Sequence, residues 1–161
     1  MHFIDPQFLP LTILEKSYNP YLVILSIAIA IVSSFTAFGF SERIHASSSH
    51  FKQTLWVIFG ATTMGIGIWA MHFIGSLALQ LSIPISYNLT ITLLSVVPAI
   101  LASSVVLWLI NQSTFGLQKL LISGVLLGAG IGTMHYTGMA AMELNASMGY
   151  VKSIFLLSII V

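Results

Sequence analysis

Long apolar runs alternate with short polar connections along the chain, and four of the runs have the length of a membrane crossing. They occupy residues 21–40, 55–79, 89–110 and 120–142, each near the roughly 20 residues that a helix needs to cross a bilayer core. A fifth apolar segment starts near Tyr150 and reaches Val161. It is too short to cross, so it is expected to be either an interfacial stub or the beginning of a C-terminal part that the chain lacks. Backbone polar groups in lipid must be satisfied within their own segment, which selects helices for isolated apolar runs. The predicted fold class is therefore all-α, a polytopic transmembrane helix bundle. Pro98 lies inside the third run and predicts a kink there, with the freed backbone groups satisfied by neighbouring helices.

Composition strengthens this reading. Of 161 residues, 57% are hydrophobic and 6% charged, with a mean hydropathy of +1.01, whereas about a quarter of a soluble domain is charged. A net charge of +1 excludes an extended basic surface, and with it nucleic acid as a partner; the partner implied is the lipid bilayer. No cleavable signal peptide is expected, because the first apolar run begins only after residue 20 and is long enough to stay in the membrane.

The few charges agree on an orientation. The first connection carries Arg43 and Lys52 against Glu42, and the third ends at Lys119. The N-terminal part holds Asp5, Glu15 and Lys16, the second connection is uncharged, and the fourth has Glu143 with Lys152 beyond it. Excess Lys and Arg mark the cytoplasmic side, so the N-terminus is predicted outside. Trp56 and Trp108 then mark the inner interface, and Tyr18, Tyr21, Tyr87 and Tyr150 the outer one. His45 and His50 fall in a Ser-rich inner connection and read as solvated, Glu143 as a solvated charge ending a helix, and His2 as standing apart from any site.

An internal repeat changes the picture further. A shift of 63 residues superposes Gly65, Gly67, Ile68, Met71, His72, Gly75 and Ala78 on Gly128, Gly130, Ile131, Met134, His135, Gly138 and Ala141. The same shift carries Tyr87, Ile91, Leu93, Leu94 and Ser95 onto Tyr150, Ile154, Leu156, Leu157 and Ser158; a shift of 69 carries Tyr18 and Asn19 onto Tyr87 and Asn88. The unit is a two-helix hairpin: an outer segment 1–17 is followed by repeat 1 at 18–86, repeat 2 at 87–149 and a partial repeat 3 at 150–161. Two crossings per unit keep successive copies in the same orientation, as parallel repeats.

Each complete repeat sinks a Met-His pair into its second helix: Met71-His72 and Met134-His135. An intramembrane histidine is costly and usually functional, and in the predicted topology both lie at one depth, roughly 12 Å below the outer boundary. Two imidazoles at one level on neighbouring helices can share a guest. His135, Met139 and Met142 are spaced i, i+4, i+7 and share one helical face; the corresponding residues in repeat 1 are His72, Ser76 and Leu79. The absence of cysteine excludes disulfides, iron–sulfur clusters and thiolate sites, leaving imidazole and thioether, which suit copper. The candidate metal ligands are thus Met71, His72, Met134, His135, Met139 and Met142, with His72 and His135 as the cofactor-binding pair. The plainer alternative makes the methionines gap-fillers and the histidines interhelical hydrogen-bond partners. Gly124, Gly128 and Gly132 form a ridge expected to pack into the bundle, about 20° from the direction of His135. Tyr136 and Thr137 read as supporting hydrogen-bonders, since Phe73 and Ile74 replace them in repeat 1.

These residues carry a resemblance. Met134-His135-Tyr136-Thr137, its variant Met71-His72-Phe73-Ile74, the flanking glycines and the trailing Met139 and Met142 resemble the MHYT-domain integral membrane sensors of bacteria, from about Tyr18 to the end of the chain. The resemblance implies a three-repeat domain in the bacterial inner membrane. It implies copper held by motif His and Met residues near the outer face, and sensing of O2, CO or NO. It also implies a cytoplasmic signalling output partner, often a diguanylate cyclase, phosphodiesterase or histidine kinase. This chain departs by lacking a third motif and by carrying Ser76 where relatives commonly have Met.

No nucleophile–base pair, phosphate loop or paired carboxylates appear in the sequence, so the expectation is a sensor and not an enzyme. A copper or small-solute transporter, and a b-type haem module with His72 and His135 as axial ligands, remain as alternatives. A homo-oligomer in which a second chain supplies the missing repeat is also compatible.

Overall fold

A computed structural model of the chain describes residues 2–4, 16–81, 85–112, 116–143 and 149–151. In chain order these form β1 (His2–Ile4), β2 (Lys16–Tyr18), α1 (Pro20–Ala46), α2 (His50–Leu77), β3 (Leu79–Leu81), β4 (Ser86–Tyr87), α3 (Leu89–Leu94), α4 (Val96–Ile110), α5 (Leu117–Ala140), β5 (Met142–Glu143) and β6 (Gly149–Val151). Helices α3 and α4 together make one crossing, Leu89–Ile110, so the described residues contain four helical segments long and apolar enough to span a membrane. The all-α membrane bundle read from the sequence is the observed architecture. The fifth apolar segment lies outside the described residues beyond Val151, as do Asp5, Glu15 and Lys152.

Helices α1 and α2 run further than their apolar stretches. The polar segment between the first two runs was expected to be a connection, yet α1 continues through Arg43 and His45, and α2 already begins at His50. Only Ser47 to Ser49 separate the two helices. Hydropathy reports where lipid ends, whereas Glu, Arg, Lys and Gln are good helix formers and carry the helix past that point. At this end the guanidinium of Arg43 stacks 4.9 Å from the Trp56 ring centroid, and Ser41 donates to Asn111 Oδ1 on the third crossing at 3.2 Å.

At the opposite end, the repeat is written into hydrogen bonds. Asn19 caps α1 by accepting from the N–H groups of Tyr21 (3.0 Å) and Leu22 (3.4 Å), with Pro20 preset for the first helical position. Asn88 caps α3 by accepting from the Ile91 N–H at 3.2 Å. Each asparagine also donates its own N–H across the hairpin, Asn19 to the Ala78 carbonyl (2.9 Å) and Asn88 to the Ala141 carbonyl (2.8 Å). Ala78 and Ala141 are fully buried.

Short ladders extend this closure. β2 pairs antiparallel with β3, setting Tyr18 opposite Leu79; β4 pairs antiparallel with β5, setting Tyr87 opposite Met142. These pairings satisfy backbone groups just beyond the helix ends and were not visible as sequence periodicity. β1 pairs in parallel with β6, Phe3 opposite Tyr150. Residues 2–4 therefore fold back onto the start of the third copy, which the sequence did not lead one to expect.

The third crossing breaks at Ser95, one turn before Pro98. Proline has no N–H to give the Leu94 carbonyl, so the helical ladder is interrupted there. Ser95 Oγ donates to the Thr92 carbonyl at 2.6 Å, and the Trp69 indole N–H from α2 reaches the same carbonyl at 3.0 Å and Ser95 Oγ at 3.1 Å. The neighbouring helix thus supplies a donor at the kink, to the Thr92 carbonyl and not to the Leu94 carbonyl that Pro98 leaves.

Helix α2 packs between α1 and α4, while α5 packs on α4 and approaches α2 at the end bearing the Met-His pairs. Close approach uses equivalent glycines. A Cβ at Gly67 would collide with Ser33 of α1, and one at Gly130 with Ala102 of α4; these two pairs are related by the repeat. The ridge of Gly124, Gly128 and Gly132 was expected to be packed in the same way. Among the described residues, a Cβ at any of the three would meet nothing within 4 Å. The large apolar side chains exposed on these helices, Phe35, Phe38 and Val125 among them, are those a bilayer would cover.

Candidate functional site

His72 lies five residues before the end of α2, and His135 five before the end of α5 (77 − 72 and 140 − 135). At 1.5 Å per residue both sit about 7.5 Å inside their helix ends. The equal depth read from the sequence holds, with the pair nearer the helix ends than expected because both helices stop two residues short of the predicted spans.

The two rings meet. His135 Nδ1 is 3.4 Å from His72 Nε2, with ring centroids 4.8 Å apart and planes inclined at 76°. The glycines of the motif allow this contact. Gly138 is buried against Phe73, whose Cζ would lie only 2.9 Å from an added Cβ, so α5 comes close to α2 one turn beyond His135. Ser76 Oγ returns to the His72 carbonyl at 2.9 Å, a local bond within α2 that leaves the imidazole to other partners.

Aromatic rings line the pair on both sides. On α2 the Trp69 and Phe73 rings are 5.1 Å apart, and Phe73 meets His72 edge-on at 5.4 Å. On α5 Tyr136 lies 5.1 Å from the His135 ring, and Tyr87 of β4 meets Phe73 at 6.2 Å. The Tyr87 hydroxyl is buried without a hydrogen-bond partner among the described residues, and burial pushes its phenol above the ordinary range. Trp69 and Tyr87 were not singled out from the sequence as parts of the site. The available signal was the i, i+4 spacing of Trp69 and Phe73, which places two aromatics on one face of α2 next to His72.

The methionines divide. Met134 is fully buried, and Met71 and Met139 are half-buried on their helices. Met142 departs from the expected helical stripe: α5 ends at Ala140, and Met142 belongs to β5, paired with Tyr87. The i+7 relation to His135 therefore does not describe its position. No third His, Cys, Asp or Glu joins the imidazole pair among the described residues. Glu143 is exposed in β5, as a solvated charge should be.

Fold and site together define a membrane protein built from parallel hairpin repeats, with an imidazole pair held between the second helices of two copies. The family model for MHYT, the bacterial signalling protein N-terminal repeat, matches residues 65–123 and 128–161, two stretches whose starts differ by the repeat period (128 − 65 = 63). The chain belongs to this family. It is 42% identical over 137 residues to the bifunctional diguanylate cyclase/cyclic di-GMP phosphodiesterase MucR of Pseudomonas aeruginosa, covering 85% of this chain and 20% of the relative. It is 40% identical over 145 residues to the cyclic di-GMP phosphodiesterase NbdA of the same organism, covering 90% of this chain and 18% of the relative. To the signaling protein YkoW of Bacillus subtilis it is 32% identical over 148 residues, covering 92% of this chain and 18% of the relative. The chain thus spans about a fifth of the length of these relatives. No solved structure matches it. Its role is that of a membrane sensory and signalling domain; the enzymatic activities in the relatives' names belong to those proteins.

Proposed function

We propose that this domain binds one copper ion between His72 and His135 near the outer face of the bacterial inner membrane and responds there to a diatomic gas, O2, CO or NO. The observation that carries the reading is the 3.4 Å separation of the facing imidazole nitrogens. Two nitrogens bound to one metal at about 2.0–2.1 Å and a tetrahedral angle lie about 3.4 Å apart. The pair therefore suits a shared metal with little movement. The donor set is soft, imidazole with thioethers of Met71, Met134, Met139 and Met142 in the same helices or just beyond, and suits copper better than a hard cation.

In this reading His72 and His135 hold the metal, and the methionines are candidates to complete its ligands. The Trp69, Phe73 and Tyr136 rings exclude water and fix the imidazole planes. Copper would supply the position at which a gas molecule coordinates, a part of the proposal that rests on the family resemblance. Because His72 and His135 belong to different helices, whatever draws them together or apart shifts α2 against α5. Such a shift is the kind of two-state packing change that a membrane sensor passes on. By analogy with its relatives, the output is a cytoplasmic module that makes or degrades cyclic di-GMP.

The haem alternative fits less well. Axial imidazoles on opposite sides of one iron stand roughly 4 Å apart, twice a bond of about 2 Å, with the macrocycle between them. The facing nitrogens are closer than that, at 3.4 Å. The gas reading is tested by infrared spectroscopy of the purified, copper-loaded chain under CO. A band of bound CO that disappears in H72A/H135A supports it; a copper-loaded protein that shows no such band contradicts it.

A further inference from the structure

At the end of the bundle opposite the imidazole pair, three helices part around a cleft of about 530 Å³. His50, where α2 begins, is 22 residues before His72 (72 − 50), so the cleft lies roughly 33 Å along the helix from the pair. Its walls are the last residues of α1, the first turns of α2 and the end of the third crossing. Hydrogen bonds hold these walls. Ser41 donates to Asn111 Oδ1 at 3.2 Å, Asn111 Nδ2 to the Leu107 carbonyl at 2.7 Å, and Gln53 Nε2 to the Ser47 carbonyl at 2.8 Å. The volume falls within the roughly 300–1,000 Å³ of small-molecule sites.

The cleft is polar at its mouth and apolar below. His50, Gln53, Thr54, Val57 and Ile58 line it from one face of α2, spaced i, i+3, i+4, i+7 and i+8. That spacing sets Val57 and Ile58 about 10–12 Å deeper than His50. On the facing wall, Trp108 stands one turn deeper than Asn111 and Gln112. Gln53, Thr54 and Asn111 already donate inside the protein. The His45 and His50 imidazoles and the Gln112 amide, in contrast, line the cleft without a hydrogen-bond partner among the described residues. No acidic side chain lines it among the described residues, and Arg43 and Lys52 are the chain neighbours of its lining residues Ile44 and Gln53.

We propose that this cleft binds the headgroup of an anionic phospholipid, with the phosphodiester at His45, His50 and Gln112 and the glycerol and first methylenes against Val57, Ile58 and Trp108. The order of polarity along the walls is that of the lipid itself. In the orientation read from the charges the cleft opens to the inner leaflet, where pockets between helices take up anionic headgroups. A free phosphate compound shares the polar half of this chemistry and has nothing to lay on the apolar half, and the experiment separates the two.

Native mass spectrometry of the full chain, delipidated in detergent and then given phosphatidylglycerol, is expected to find one lipid retained per chain. H45A/H50A removes two side chains that bond to nothing else among the described residues. Its thermal midpoint is expected to match wild type while lipid retention falls about tenfold, the effect of one or two lost hydrogen bonds. H45Q/H50Q, which keeps an N–H donor at both places, is expected to recover most of the loss. Q112A reads the facing wall independently and is expected to lower retention severalfold with α2 untouched. Retention at the wild-type level in H45A/H50A or in Q112A would overturn the proposal. So would retention of diacylglycerol equal to that of phosphatidylglycerol, since the phosphate would then not be recognised. Displacement of the lipid by glycerol 3-phosphate at equal concentration would also overturn it, making a soluble phosphate compound the ligand.

Discussion

His72 Nε2 faces His135 Nδ1 at 3.4 Å although the two residues are 63 positions apart, the length of one repeat. Equivalent residues of successive copies therefore meet directly. They meet through different nitrogens and with nearly perpendicular rings, so the relation is head-to-tail and not that of a two-fold axis, where like atoms would face like. Each imidazole can act as donor or acceptor depending on its tautomer, and with both facing nitrogens unprotonated the same geometry suits two ligands of one metal.

The ring that braces this pair should be separable from the fold. An alanine at Gly138 would press on Phe73 Cζ, the far end of a flexible side chain, which can move aside while the helices stay in place. We expect G138A to fold with an unchanged thermal midpoint but to lose about tenfold in copper affinity, the scale typical of lost support around metal ligands. Competition titration against a copper chelator measures it.

Helix approach in the first repeat depends on Gly65 in a way that an open glycine does not. A Cβ at Gly65 would meet the backbone of Ile100, which cannot give way without moving α4. G65A should cost roughly 1–3 kcal/mol of stability through overpacking. G39A, where nothing lies within 4 Å, should be neutral or stabilise slightly through helix propensity. Unfolding of both variants in mixed micelles, compared with wild type, decides it.

The kink of the third crossing offers a third test. Trp69 gives its indole N–H to the Thr92 carbonyl and Ser95 Oγ. W69F keeps an aromatic ring and removes the donor, and we expect a loss of about 0.6–1.7 kcal/mol, the range found for hydrogen bonds between membrane helices. Hydrogen exchange should rise in α3 and at the start of α4, with the Asn19-capped end of α1 unaffected.

Much of this architecture was legible in the residues themselves, because lipid forces each apolar run into a helix and the repeat aligns the two Met-His pairs at one depth. Pro98 announced the kink, though not that Trp69 would serve it. The two- and three-residue ladders were illegible, since so short a strand carries no alternation. Helix ends were misplaced at His45 and His50 because hydropathy marks the lipid boundary and not the last hydrogen bond. The stripe from His135 to Met142 failed because α5 ends at Ala140 and Met142 turns into a strand against Tyr87. Gly65, the repeat-1 counterpart of Gly128, packs against Ile100, whereas Gly124, Gly128 and Gly132 meet nothing within 4 Å among the described residues.

Copper content of the purified chain tests the central claim most directly. Elemental analysis of wild type beside H72A/H135A, both expressed in copper-supplemented cells and shown to be folded, should find about one copper per chain in the wild type and almost none in the double variant. Equal metal content in the two proteins would contradict the account, since the paired imidazoles would then not be what holds it.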